Sequence, residues 1–359
     1  MLRLFSVRKW SLSKVLIIVI PIMLAGLATM SGIGNESTEF WKQLVWIVMS
    51  LLIFFIISNL NFKNLNKSKY SLYLYIFGNI MLLILPILGK VTNGAQSWLH
   101  IGGISFQPAD LMKLGLIMLL AKYFSRRHVE IANVKHLFVS GLYLLIPFIL
   151  VLLQPDLGSS LILLFIWGGM VLCSGASRKH VLVIALLGIL SFVLAWNFAF
   201  KPYQKARIVN FLNPLSDIRG TGYNAYQSTI AVGNGGVWGQ GLGYGSQSRL
   251  SYLPEHQTDF IFAAFAEEWG FMGSVALALL YIVLLFYMMY GIYNAENNYV
   301  VLFVTGVMIW FYAHIMINIG MNLGVSPVTG IPLPFMSYGG SHILLESIAL
   351  AMVVSMIKK

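Results

Sequence analysis

The sequence predicts an all-α membrane protein. It would have ten transmembrane helices, N- and C-termini in the cytoplasm, and a large extracytoplasmic loop between helices 7 and 8, as one integral domain over residues 1–359. Three observations predict this. The chain is 58% hydrophobic and 10% charged with a mean hydropathy of +0.80, whereas soluble domains carry about 25% charged residues. Apolar runs of about 20 residues, the length that crosses a bilayer as a helix, recur along its whole length. With the N-terminus inside and the chain alternating, 15 Lys and Arg fall on the cytoplasmic side and 8 outside. Five of those 8 sit in one long loop, and long loops translocate whatever their charge, so the effective bias is 15 against 3.

In order, the spans cover about 14–33, 41–60, 70–88, 108–124, 138–153, 159–174, 181–200, 262–290, 300–320 and 340–357. The first follows Arg3, Arg8, Lys9 and Lys14, as a signal peptide would. Its apolar run is long for such a segment and no small-x-small cleavage site follows, so it reads as a retained first helix. The fourth opens with Gln107-Pro108, and proline suits a first helical position. Residues 89–107 and 322–341 are Gly- or Pro-rich yet apolar. Backbone of that kind cannot face lipid, because its amides would go unsatisfied, so both segments are expected to fold back near the membrane surface and line a cavity.

The loop 201–261 contains GNGGVWGQGLGYG, with seven glycines in thirteen residues. It has no G-x-G-x-x-G spacing and no following lysine, so nucleotide binding is not supported and tight turns or close backbone approach are. The net charge of +11 does not indicate nucleic acid, because no basic run exceeds two residues and most charges flank apolar spans. A single cysteine, Cys173, excludes an internal disulfide.

The acids are distributed the other way. Nine of the twelve fall at or near the outer face, and Glu130 and Glu296 are the clear cytoplasmic exceptions. Acids do not set topology, so the outer face reads as the working face. Four of them, Glu255, Asp259, Glu267 and Glu268, lie within LPEHQTDFIFAAFAEEWG at the start of the eighth span. Asp259 could cap that helix, as could Thr258. A cap does not account for Glu267 and Glu268, since a charge inside a span costs at least about 2.5 kcal/mol and calls for a cationic partner or a water-filled cleft. Asp110 and Lys113 are three apart on one helical face. They would either neutralise each other or hold a cation at the outer surface for phosphate. The loop cations Lys201, Lys205, Arg207, Arg219 and Arg249 are by default solvated, but arginines beside an acid-lined cleft also suit a polyanionic leaving group. No zinc-protease, paired-cysteine or nucleophile-elbow signature occurs. His314, inside a span, reads as a packed polar residue rather than a ligand.

Several stretches together resemble one family. LPEHQTDFIFAAFAEEWG, NIGMNLGVSPVTGIPLPFMSYGGS (318–341), NGAQSWLHIGGISFQPADLMKL (93–114), QPDLGSS (154–160) and GTGYNAYQSTIAVGNGG (220–236) are similar, in order and along essentially the whole chain, to the motifs of the shape, elongation, division and sporulation family. The NIGMNLG stretch and short termini are nearer its RodA branch than FtsW. The resemblance implies a multi-pass protein of the bacterial plasma membrane with peptidoglycan glycosyltransferase activity. The substrate would be lipid II, a disaccharide-pentapeptide on undecaprenyl pyrophosphate, polymerised at the outer face for elongation and cell shape. The implied partners are a class B penicillin-binding protein, other cell-elongation membrane proteins and membrane lipid. The family's essential carboxylate falls on Asp259, its motif tryptophan on Trp98, and its motif acid and lysine on Asp110 and Lys113. Two positions depart from the pattern. Gln257 stands where the family has histidine, with His256 one place early, and Asp110 stands where it has glutamate.

The chemistry fits the residues. Transfer from a pyrophosphate donor needs a base for the acceptor hydroxyl, and the leaving group is already competent, so the paired carboxylates of glycosidases are not required. Asp259 is the expected catalytic base, in a cleft shaped by Glu255 and the Glu267–Glu268 pair. Lys113 and Arg207 are expected to meet the pyrophosphate, with a divalent cation as an optional third charge and no other cofactor. A lipid II flippase and a non-catalytic scaffold that activates the transpeptidase are the rivals. The flippase would spread its acids to both faces, and the scaffold would need no single indispensable carboxylate.

Overall fold

The structure, a computed structural model, describes residues 12–358 except 33–36, 63–64, 66–67, 93–94, 102–103, 127–133, 176–181, scattered positions between 185 and 199, 214–219, 221 and 251. The basic cluster Arg3, Arg8 and Lys9, the pair Arg178 and Lys179, and Arg219 lie outside the described residues.

Helices α1 (Leu12–Gly32), α2 (Ser37–Ser58) and α3 (Tyr70–Leu88) come first. Strands β1 (Lys90–Thr92), β2 (Ala95–Ile101) and β3 (Ile104–Phe106) follow, then α4 (Pro108–Ser125), α5 (Val134–Leu153) and α6 (Leu157–Cys173). Among the described residues of the long loop there are three short helices: α7 (Pro202–Leu212), α8 (Tyr223–Asn234) and α9 (Ser246–Arg249). The chain closes with α10 (Ile261–Tyr293), α11 (Asn298–Asn322) and α12 (Gly340–Ile357). Among the described residues seven helices, α1, α2, α3, α5, α10, α11 and α12, are long and apolar enough to cross a membrane. The protein is a multi-pass membrane protein. The expected span 159–174 holds the apolar, 17-residue α6. The span 181–200 lies partly outside the described residues, and those described within it, such as Leu182–Ile184 and Trp196–Phe198, are helical.

The span 108–124 is α4, and it differs in kind. It carries Asp110, Lys113 and Lys122, yet nearly every residue from Pro108 to Phe124 is buried. A helix with protein on all sides needs no lipid-facing stripe, so it can hold charge where neighbours neutralise it. It packs between α3, α6 and α11. At the α3 contact Gly78 and Gly115 let the backbones close up, since a Cβ on Gly78 would stand 2.9 Å from Met112 Sδ.

The expectation of an all-α chain is corrected between residues 90 and 106. These form a three-stranded antiparallel sheet in the order β1-β2-β3, with Lys90 opposite Trp98 and Leu99 opposite Phe106. Strand pairing satisfies the amides that could not face lipid. Gln96 N donates to Gln154 O at 3.3 Å and Gln154 Nε2 donates to Leu82 O at 2.9 Å, which tie the sheet to α3 and to the turn between α5 and α6.

The Pro-rich segment before α12 does fold back into the protein. Ile331, Leu333, Phe335 and Met336 are buried, and Gly26 of α1 leaves room for the Met336 carbonyl. Helix α10 kinks at Gly270, whose φ of 66° lies in the left-handed region. The glycine-rich loop fills the kink, with Phe271 N donating to Gly236 O at 2.9 Å and Met272 N to Val237 O at 3.1 Å. A Cβ on Gly235 or Gly239 would lie about 2 Å from a carbonyl oxygen of α10, at 2.0 Å and 2.1 Å respectively, so the expected close backbone approach is what these glycines supply.

Candidate active site

The stretch 253–260 forms a tight turn ahead of α10. Thr258 N and Phe260 N both donate to Glu255 O, at 3.2 and 3.1 Å, and Glu255 itself has a φ of 54°. Leu253 and Phe260 anchor the turn against Ala231 and Ala263. Two further elements grip its backbone. Asn318 and Asn322, one turn apart on α11, each donate a side-chain N–H to Asp259 O, at 3.0 and 3.1 Å. Asn322 Oδ1 also accepts from Ala263 N at 3.0 Å. From the Pro-rich segment, Ser337 Oγ donates to Thr258 O at 2.7 Å and Tyr338 N to Gln257 O at 2.8 Å.

The backbone of Asp259 is thus held from two sides, while its carboxyl makes no hydrogen bond among the described residues. It does not cap α10. Phe260 occupies the cap position without a side-chain bond, and Thr258 Oγ1 donates to Glu255 Oε2 at 2.8 Å instead. The half-buried Asp259 carboxyl faces Gly330, where an added Cβ would lie 3.4 Å from Oδ2 and the φ of 73° also favours glycine. Burial pushes its pKa up to about 7, repulsion from Glu255 adds to this, and the nearby Arg207 guanidinium opposes it. Asp156 is a further neighbouring charge. That residue caps α6 by accepting from Ser159 N at 2.9 Å, and Gln107 Nε2, just before α4, donates to it at 3.0 Å. The starts of α4 and α6 therefore meet beside Asp259. Arg207 is half-buried on α7, Glu255 is exposed, and Trp98 is half-buried on β2.

Asp110 and Lys113 come together, but inside the bundle. Lys113 Nζ lies 2.6 Å from Asp110 Oδ1, with the side chains 2% and 1% exposed. The same ammonium is 3.2 Å from His314 Nε2, and His314 Nδ1 is 3.1 Å from Pro332 O. On the other side His342 Nδ1 is 3.3 Å from Asp110 Oδ2, and His342 Nε2 is 2.8 Å from Glu346 Oε1. Glu346 Oε2 accepts from Phe335 N at 2.9 Å. His314, His342 and Glu346 bring one metal-capable atom each within 4.8 Å of one another. As expected from its position in a span, His314 is packed and buried. His342 and Glu346 escaped the sequence reading, although an acid four residues after a histidine inside a span is a legible signal of burial with a partner. Asn318 and Asn322 escaped it for the same reason, as polar residues at helical spacing in an apolar run.

Among the described residues Glu267 and Glu268 meet hydrogen-bond donors of the glycine-rich loop rather than cations. Glu267 accepts from Gln247 N at 2.9 Å, Ser248 N at 3.2 Å, Ser246 Oγ at 3.2 Å and Ser248 Oγ at 2.9 Å, and Glu268 accepts from Gly243 N at 2.8 Å. These carboxylates organise the glycine-rich loop. Glu267→Ala strips four donors of their acceptor and is expected to cost about 3 kcal/mol of stability. Thermal unfolding in detergent checks this, and an unchanged midpoint would remove the anchoring role.

Residues 5–359 match the FtsW, RodA and SpoVE family, described as a cell cycle protein family. The chain belongs to that family. It is 36% identical over 315 residues to stage V sporulation protein E of Bacillus subtilis, covering 88% of this chain and 85% of that protein. It is 32% identical over 343 residues to peptidoglycan glycosyltransferase MrdB of Escherichia coli K12, covering 96% and 92%. Among solved structures, a chain of a peptidoglycan synthase complex, from work on how polymerization and crosslinking are coordinated, superposes with a TM-score of 0.83 at 30% identity and 96% coverage of both chains. The rod shape determining protein RodA of Thermus thermophilus superposes with a TM-score of 0.72 at 28% identity, covering 96% of this chain and 95% of that one. This family member thus shares its overall helical arrangement with RodA.

Proposed function

We propose that the protein is a peptidoglycan glycosyltransferase that polymerises lipid II at the outer face of the bacterial plasma membrane, with Asp259 as its catalytic base. The observation that carries this is the state of the Asp259 carboxyl. Its backbone is fixed by Asn318, Asn322 and the turn, its carboxyl makes no hydrogen bond among the described residues, and burial pushes its pKa up to about 7, where a carboxylate both exists in quantity and accepts a proton well. The acceptor sugar hydroxyl gives its proton to Asp259 as its oxygen attacks the donor anomeric carbon from the face opposite the leaving group. The carbon–oxygen bond to pyrophosphate breaks, the lipid pyrophosphate leaves with the electron pair, and the anomeric configuration inverts.

Arg207, the cation that draws on the Asp259 charge, is the best-placed group to meet the pyrophosphate. Lys113 is enclosed, so its positive charge would act from below the site while it holds Asp110. A divalent cation remains an optional companion to the leaving group. Trp98 and Glu255 would line the approach of the sugars. The similarity to a chain of a peptidoglycan synthase complex supports assembly with a class B penicillin-binding protein, and the RodA likeness supports a role in elongation.

The test is to give purified protein, alone and with its cognate transpeptidase, labelled lipid II in detergent and to resolve the glycan products. Strands made by wild type support the reading. Lipid II moved across vesicles without polymer would favour the flippase, and neither activity from folded complex would favour the scaffold.

A further inference from the structure

The buried side chains around α4 form a ring of donors and acceptors that starts and ends on one short piece of backbone. From Phe335 N–H the order is Glu346, His342, Asp110, Lys113, His314 and then Pro332 O, with separations of 2.9, 2.8, 3.3, 2.6, 3.2 and 3.1 Å. Glu346 and His314 are fully buried, and Asp110, Lys113 and His342 are at most 3% exposed. The protonation of most members follows from their neighbours. His314 Nδ1 faces a carbonyl, so it carries hydrogen and donates. His314 Nε2 then offers its lone pair to the Lys113 ammonium. This histidine is neutral and has no lone pair left. A metal at His314, His342 and Glu346 would need that lone pair, so the geometry disfavours one.

His342 is different. One ring nitrogen faces a carboxylate of α4 and the other faces a carboxylate of its own helix. A neutral imidazole, whichever way the ring is turned, must aim a lone pair at one of those oxygens. The 2.8 Å approach to Glu346 Oε1 is a close ion-pair contact rather than an aligned hydrogen bond, and it tolerates a lone pair poorly. Charge counting agrees: Asp110 and Glu346 against Lys113 alone leave one uncompensated buried negative charge, which is costly. Two uncharged groups also face this cluster: Tyr281 on α10, near Glu346, donates to Pro334 O at 2.7 Å, and the centre of the Trp310 ring lies 5.9 Å from Lys113 Nζ.

We propose that His342 is a buried imidazolium wedged between Asp110 and Glu346, and that it is a positioning residue which closes the ring and holds the 331–337 segment in register with Asp259. The ring fixes Pro332 and Phe335. Within that segment Leu333 N donates to Ser337 Oγ at 2.7 Å, and Ser337 Oγ donates onward to Thr258 O, next to Asp259. At its first residue, Asn318 Nδ2 bridges Ile331 O at 2.7 Å and Asp259 O at 3.0 Å. The link to catalysis rests on the reading of Asp259 as base; the charge state of His342 does not.

The charge state is tested in two parts, neither using catalysis. Protein carrying 15N-histidine and 13C-glutamate is placed in nanodiscs at pH 7.5, where a free imidazole is mostly neutral. One histidine in contact with a glutamate carboxyl is expected to show both ring nitrogens protonated. In parallel, unfolding midpoints are compared for wild type, His342→Gln, Glu346→Gln and the double variant. Each single change unbalances the ring by one charge and is expected to lower the midpoint, and the double change to recover at least about half of the larger loss. A neutral His342, or a stoichiometric metal with one ring nitrogen bound to it, overturns the proposal. So does a double variant no better than the worse single. If His342→Gln does not fold, the wild-type spectrum decides alone. Polymer assays on the same variants then report the positioning role: activity returning with the midpoint supports it, and activity indifferent to all three variants removes it while leaving Asp259 untouched.

Discussion

Asp259→Asn is expected to cut glycan polymerisation severely without destabilising the protein. A positioned general base contributes about 10²–10⁴ in rate, so at least about a 100-fold loss is expected. The stability side has a definite sign. The folded carboxyl is raised from its ordinary range to about 7, so ionising it opposes folding. That cost is absent at about pH 4, grows as pH rises toward 7, and is complete above it. Asparagine removes it. The variant should therefore melt at or above the wild-type temperature at pH 8, with the gap closing toward pH 4. An inactive variant that melts well below wild type at pH 8 would mean that the residue's role is structural.

Lys113→Met should have the largest effect on stability. Removing one member of a buried pair leaves its partner charged and unmatched, at a cost of about 3–5 kcal/mol. Methionine fills much of the volume, so the loss reports charge more than packing. Asp110→Asn should be harmful for the opposite reason, leaving an excess cation. The double variant restores neutrality, with Glu346 and His342 still balanced, and should be milder than either single change. Chemical or thermal unfolding of the four proteins measures the coupling. Strictly additive losses would mean that the 2.6 Å contact carries no special weight.

The membrane class was legible in the sequence because twenty-residue apolar runs have only one economical solution in a bilayer. So was the placement of Asp259 at the mouth of a span, where an acid needs an explanation. Other features were illegible for physical reasons. The strands at 90–106 are short, and Gly-rich apolar sequence specifies only that its amides be satisfied, not by what. Glu267 and Glu268 resembled cleft residues because their donors, backbone amides of the loop at 243–248, have no side-chain signature. The Asp110–Lys113 spacing forecast their pairing but not their depth, which depends on α4 being enclosed on every side by α3, α6 and α11. His342 meets Asp110 across 232 residues of chain and links it to Glu346, beyond the reach of any local pattern.

The central claim is that the Asp259 carboxyl takes the acceptor proton, and the pH dependence of lipid II polymerisation tests it most directly. Initial rates of strand formation by wild type should climb with pH through a single titration near 7 and then level off, and the residual activity of Asp259→Asn should lack that limb. A wild-type rate that is flat from pH 5 to 9, or an asparagine variant that keeps the same limb, would show that the titrating base is another group.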